Sequence, residues 1–350
     1  MKLPRNSQRR FQATFLIVAL LTTGILPQLT QADSWISAAS MSTPRARHTA
    51  SLLQNGRVLV VGGLTSTAES YDSVTDSWSP AASLLTARFG HTATQLVDGR
   101  VLVVGGYDGS IYLTSAEIYN PATDTWSPAG NLSVSRISHT ATRLADGRVL
   151  VAGGENDSSG IGGTVEIYNS TTNTWSAAAP MSSARTGHTA TLLADGRVLV
   201  TGGANGNAHV ASAELYNPAT NSWSPAADMS VPRIYHTATV LSDGRVFVAG
   251  GNDNGTFLAS AEIYNSTTNT WSAAAPMSSA RMEHIAILLS DGRIQIIGGQ
   301  YQSTNVGKTE IYNPTSNIWS DSGGLSTARY VPTATLMSDG AVLVAGGSAK

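Results

Sequence analysis

Seven times along the chain, four consecutive apolar or nearly apolar residues stop at a Gly-Gly pair. The runs VLVV, VLVV, VLVA, VLVT, VFVA, IQII and VLVA begin at Val58, Val101, Val149, Val198, Val246, Ile294 and Val342. The glycine pairs begin at Gly62, Gly105, Gly153, Gly202, Gly250, Gly298 and Gly346, and six of the runs follow Gly-Arg. A run this short with no polar alternation reads as a strand buried on both faces. After a first interval of 43 residues, the pairs recur every 48 or 49. A fixed period of that length is the signature of a repeat architecture.

One unit, His188 to Trp223, shows how each repeat is read. His188 to Leu193 is expected to form strand a, and Asp195-Gly196 a two-residue hairpin turn, since glycine accepts positive φ. Arg197 to Thr201 is strand b, and Gly202-Gly203 ends it where side chains would not fit. Asn205 to His209 is a variable loop, Ala213 to Tyr216 is strand c, Asn217-Pro218 turns the chain, and Trp223 begins strand d. Four antiparallel strands in about 48 residues make a propeller blade. A single blade leaves two apolar faces wet; a closed ring of blades buries them and protects the sheet edges better than an open solenoid would.

The other recurrences sit on the same lattice. All seven tryptophans do (Trp35, Trp78, Trp126, Trp175, Trp223, Trp271, Trp319), as do the histidines of an Arg-x-x-His pattern (His48, His91, His139, His188, His236, His284). The stretch EIYNSTTNTWSAAAPMSSAR occurs twice, ending at Arg185 and at Arg281, which points to duplication of a unit. Counting gives seven a–b hairpins, six c strands and seven Trp-bearing d strands. Trp35 and the segment from Thr333 to Gly347 would then join into a seventh blade that lacks strand c; the alternative is six blades with frayed ends. The expected fold is thus all-β, a propeller of four-stranded antiparallel blades, seven-bladed with an incomplete last blade.

The Gly-Gly pairs, the strand-c tyrosines (Tyr119, Tyr168, Tyr216, Tyr264, Tyr312) and the spaced tryptophans resemble the Kelch-repeat family from about Asp33 to Gly347. The wording of the repeats is similar to bacterial secreted relatives of the galactose oxidase central propeller. That resemblance implies a Kelch propeller. It would also suggest a copper radical oxidase, whose cofactor in that family is a tyrosine cross-linked to cysteine. The chain has no cysteine, so that cofactor cannot form.

Composition narrows the picture further. Net charge is −2 with no basic stripe, so nucleic-acid binding is not expected. Without cysteine there is no disulfide, thiolate nucleophile or Cys-based metal site. Lys2, Arg5, Arg9 and Arg10 precede an apolar stretch from Phe15 to Pro27, and Thr30-Gln31-Ala32 offers small residues to a peptidase. Residues 1–32 therefore read as a signal peptide and 33–350 as the propeller, secreted or periplasmic, monomeric and free of the membrane once processed.

Function is expected on the face carrying the d–a and b–c loops, which hold the variation between repeats. Six histidines recurring once per blade read as one stacking role repeated rather than as a metal ring, and the strand-c glutamates (Glu69, Glu117, Glu166, Glu214, Glu262, Glu310) read as partners of the repeated arginines at blade contacts. The pair inside Arg-x-x-His differs from blade to blade. It puts Tyr235, Glu283, Tyr330 and Arg47 on successive blades at one side of the channel mouth, a set suited to a polyol or sugar. The b–c loops add Tyr107, Asp108, Asp157, His209, Asp253 and Tyr301 as contact chemistry. Asn252 to Gly255 hints at calcium but lacks the downstream acid. The leading expectation is a non-catalytic module that binds an extracellular or envelope protein or glycan, with no cofactor, metal or catalytic residue. The alternative is a sugar-modifying enzyme such as a mutarotase, with Glu283 as acid/base and Arg47 steadying an anionic substrate.

Overall fold

The computed structural model describes residues 35–157, 160–206 and 208–348. The signal peptide expected at residues 1–32 lies outside them. The described residues form six four-stranded antiparallel sheets, blades I to VI, over residues 49–81, 92–131, 140–178, 189–226, 237–274 and 285–324. In blade IV, strand a is Thr189–Leu192, b is Val198–Thr201, c is Ala213–Asn217 and d is Ser222–Ala226, in the sheet order a-b-c-d. Strand b of all six blades is buried throughout, as its unbroken apolar run requires.

The expectation of seven blades is corrected to six. The C-terminal repeat is a two-stranded sheet only, Thr333–Leu336 with Val342–Ala345, and it sits between strand a of blade VI and strand a of blade I. Trp35 does not pair into it: Trp35 Nε1 donates to Thr309 Oγ1 of blade VI at 2.9 Å. The physical reason is the missing strand c, without which nothing bridges the hairpin to the Trp35 segment. The a–b turn is also longer than the expected two residues. Leu193 N donates to Arg197 O and Gly196 N to Leu193 O, so three residues form the loop, with Gly196 at φ 84°. This is a three-residue connection whose glycine takes the left-handed position.

Three sets of contacts stitch each blade to the next. At the rim, Trp223 Nε1 donates to Ala179 O (2.7 Å), while Ala179 N donates to Asn221 Oδ1 (2.9 Å). One residue just past blade III thus has both its backbone groups taken by blade IV. At the middle, the strand-c glutamates pair with the repeated arginines as expected: Arg185, in the crossover from blade III, has its Nη2 3.0 Å from Glu214 Oε1 of blade IV. Glu214 Oε2 accepts the Ser182 N–H at 2.8 Å, and Ser182 belongs to the crossover from blade III. Near the axis, His236 Nε2 is hydrogen-bonded to Thr189 Oγ1 of the preceding blade at 3.0 Å. The Gly-Gly pair makes room for this. A Cβ on Gly202 would meet the His236 Cε1 at 2.7 Å, and one on Gly203 the His188 Cβ at 2.9 Å.

Apolar packing follows the same seams. Five buried clusters join successive blades I to VI, and a sixth, smaller one joins Val58, Val60 and Tyr71 of blade I to Leu343 and Ala345 of the hairpin. On the hairpin's other side, blade VI presents buried Gln295, Thr309 and Ser322.

Removing one partner of a buried ion pair costs about 3–5 kcal/mol. Arg185→Met should therefore cost roughly that much in urea unfolding. Arg329→Met, in the hairpin repeat that lacks a strand-c glutamate, should cost under about 1 kcal/mol. Equal losses would show that the carboxylate does not set the cost.

Candidate functional site

The second residue inside each Arg-x-x-His, and its counterpart Val331 where the hairpin has Pro332 in place of the histidine, lies at the channel mouth with a left-handed backbone: Arg47 (φ 53°), Gly90 (62°), Ser138 (55°), Gly187 (61°), Tyr235 (55°), Glu283 (50°) and Val331 (47°). A non-glycine residue pays about 1–2 kcal/mol for that conformation. Backbone hydrogen bonds hold neighbours at one level: Gly90 N to Arg47 O, Tyr235 N to Gly187 O and Glu283 N to Tyr235 O, each 3.0 Å. The two glycines are small for a reason beyond φ. A Cβ at Gly90 would meet Ile137 Cγ1 at 2.8 Å, and one at Gly187 would meet Ile234 Cγ1 at 2.5 Å. One half of the mouth is therefore open and smooth, and the other carries large polar side chains.

Those side chains converge. Arg47 Nη2 lies 3.8 Å from Glu283 Oε1, across the place where the terminal hairpin enters the ring. Tyr330, the first residue of the hairpin's own Arg-x-x pair, lies close to both. Burial, then the Glu283 carboxylate, push its hydroxyl up to about 12, against the opposing pull of Arg47. Burial followed by Glu283 also raises the Tyr235 hydroxyl. Burial works against the Arg47 charge, but Glu283 and then Tyr330 more than offset it, leaving the guanidinium above its ordinary value. Both phenols stay protonated, so they can donate as well as accept. Glu283 Oε2 is buried with no protein hydrogen-bond partner. The mouth and upper channel enclose about 340 Å³, the lower end of the range for small-molecule sites.

The six histidines line the channel below. Each Nε2 is bonded to a threonine of the preceding blade, at 2.9–3.0 Å, and His48 closes the circle on Thr333 of the hairpin. Burial, then the neighbouring arginine, lowers His139, His188, His236 and His284 to about 3 and His48 to about 4, and drives His91 well below its ordinary value. Among the described residues no group of three or more His, Asp or Glu side chains could hold a metal ion.

None of the six residues expected on the b–c loops is among those lining the mouth; they serve the loops themselves. Tyr107 bridges Phe89 by backbone and stands edge-on to the rings of Phe89 (5.4 Å) and Tyr112 (5.3 Å). Asp108 Oδ1 accepts the Ser110 and Ile111 N–H groups of its own turn. Asp157 Oδ2 accepts Tyr112 N of the preceding blade's loop. His209 Nδ1 accepts the Asn254 N–H of the next blade's loop at 2.8 Å, Asp253 Oδ1 accepts from Asn254 Nδ2, and Tyr301 packs edge-on against Phe257. These loops form small two-stranded ribbons in blades III to VI. Gly90, Ser138, Gly187 and Val331, which the sequence puts at the same register, line the mouth as well.

No curated protein sequence matches this chain. Among solved structures, it is similar to "Novel fungal alcohol oxidase with catalytic diversity among the AA5 family, in complex with copper", at TM-score 0.75 and 19% identity, over 91% of this chain and 73% of that one. It is also similar to "Structure of YjhT", at TM-score 0.65 and 16% identity, over 81% of this chain and 99% of that one. At such identities the likeness is one of fold.

In acid the six imidazoles should govern stability. Their folded pKa values lie below the unfolded one, so this contribution is complete above about pH 6.5 and is lost as the pH falls toward the folded values, about 4 for His48 and about 3 for His139, His188, His236 and His284, by up to about 1.4 kcal/mol per unit for each ring. Urea midpoints should fall steadily from pH 7 to 5, above the carboxylate range. A flat profile over that window would mean the rings are not held neutral.

A model of the KLHDC2/KLHL20/DRC7 Kelch-repeats domain matches residues 138–347, and the Kelch motif matches residues 45–85 and 88–133; with the buried Arg–Glu pairs and glycine doublets recurring at that period, the chain belongs to the Kelch-repeat family.

Proposed function

We propose that the chain is a non-catalytic recognition protein working outside the cytoplasm, and that its channel mouth binds a small polyhydroxylated ligand such as a glycan end. The observation that carries this reading is Glu283 Oε2, a buried carboxylate oxygen without a protein partner, set beside the half-exposed Arg47 guanidinium. An unsatisfied buried acceptor is costly, and a ligand hydroxyl would satisfy it. Arg47 would donate to a second oxygen, and Tyr330 and Tyr235 would offer ring faces and hydroxyls. The smooth half of the mouth, Gly90 and Gly187, leaves room for the rest of the ligand. Geometry favours binding over chemistry, since Glu283 is paired with a cation rather than with a second carboxylate.

The test is calorimetric titration of neutral and anionic mono- and disaccharides into the purified chain. Binding is expected for at least one class, weakened about tenfold or more by Glu283→Gln and by Arg47→Ala, in line with the loss of a charge-assisted hydrogen bond. No binding across the panel, or binding indifferent to both changes, overturns the assignment. Anomerisation of a bound sugar that is fast in the wild type and slow in Glu283→Gln would replace it with the mutarotase reading.

A further inference from the structure

The terminal hairpin leaves an open strand position. In the sheets of the six blades, strand c hydrogen-bonds along the outer edge of strand b. Along Val342–Ala345 no strand does so among the described residues. This is also the b strand that is only partly buried: Val342 and Val344 are half-exposed where their counterparts are sealed. Beyond it runs the segment after Trp35, which occupies the place of a strand d, since Ala39 takes the same two contacts from Trp78 and Asp76 that Ala179 takes from Trp223 and Asn221. Between the two lies a groove of about 630 Å³ lined by Trp35, Met41, Arg329, Met337, Val342 and Val344. Ile36, at its rim, is 87% exposed.

Arg329 says what chemistry the groove expects. In every complete blade, the arginine of Arg-x-x-His donates to the first glycine carbonyl of the doublet, to a carbonyl at the start of strand c and to the strand-c glutamate, as Arg233 does with Gly250, Ser260 and Glu262. Arg329 keeps the first of these, Nη1 to Gly346 O at 2.8 Å. Among the described residues it has neither of the others, and it is half-buried where its counterparts are buried. The chain's own upstream residues are poorly suited to fill the place. The glutamate stands nine residues before the tryptophan in each blade, and Leu26 stands nine before Trp35, followed by Pro27, which has no N–H to give a central strand.

We propose that this groove is a strand-accepting site that binds an extended segment of a partner protein, antiparallel to Val342–Ala345, with a glutamate on Arg329 and an aromatic residue two positions later in the slot the strand-c tyrosines fill. Backbone pairing would supply affinity and the glutamate and aromatic side chains would supply register, as in strand addition to an exposed sheet edge. The site lies at the rim-side seam between blade VI and blade I and is separate from the channel mouth.

The probe is a fluorescein-labelled peptide with this chain's own strand-c sequence, SAELYNPAT (residues 212–220), titrated into the full purified chain and read by fluorescence polarisation. Saturable binding is expected. It should weaken about tenfold or more when the peptide glutamate is changed to Gln or the protein carries Arg329→Met, and it should vanish when the peptide's central N–H groups are methylated. Saccharides that occupy the mouth should leave it unchanged, so the two sites can fail independently. Absence of binding up to millimolar protein overturns the proposal. So does binding indifferent to both substitutions, or a chain that sediments as a dimer and takes up the peptide only on dissociation, which would make a second copy the occupant. Arg329→Met must keep the wild-type urea midpoint; if it does not, Glu→Gln in the peptide alone decides.

Discussion

The buried pairing of an arginine with a strand-c glutamate organises everything else in this ring. A guanidinium with almost no exposure needs a carboxylate, and the carboxylate has a second oxygen to satisfy. That second oxygen takes a backbone N–H from the crossover arriving from the previous blade, as Glu117 does with Leu85 and Glu262 with Ser230. One ion pair therefore fixes the strand's position in its own sheet and the path by which the neighbouring sheet joins it. The arginine's position in turn sets the histidine three residues on, whose imidazole then reaches the preceding blade's threonine. The rim contacts through tryptophan and alanine repeat the logic farther out.

Most of this was legible because it is periodic. The b strands announced themselves as apolar runs, and the Trp and His lattices gave the length of the repeat. What escaped was anything that depends on one repeat differing from the rest in space. Seven hairpins suggested seven blades, but a hairpin without strand c gives its two strands no bridge to the Trp35 segment, and the chain finishes six. The Asp-Gly turns looked two residues long because the strand boundary at Leu193 is invisible in composition. The arginine–glutamate pairing at the blade contacts was legible too, because both residues recur once per repeat and a buried guanidinium needs a carboxylate.

The mouth shows the same division. The register Arg47, Gly90, Ser138, Gly187, Tyr235, Glu283, Val331 could be read from the sequence, and so could the gathering of Tyr235, Glu283, Tyr330 and Arg47 on neighbouring units. That all seven adopt a left-handed backbone could not, because serine, valine, arginine, tyrosine and glutamate give no hint of it. The b–c loop residues misled for the converse reason: Asp108, Asp157 and His209 look available in sequence, but backbone amides of their own and adjacent loops claim them.

Two contacts that close the ring, His48 with Thr333 and Trp35 with Thr309, join residues 285 and 274 positions apart. Chain entropy rises only with the logarithm of loop length, so bringing such distant partners together costs about 1.5 kcal/mol more than joining adjacent blades some six times closer in sequence. The thermodynamic penalty is slight, but the temporal one is not. Every blade can form locally as it emerges, yet the first arginine-to-histidine segment lacks its axial partner until the last hairpin has been synthesised. The ring is thus a structure completed all at once, and the hairpin at residues 333–345 decides when.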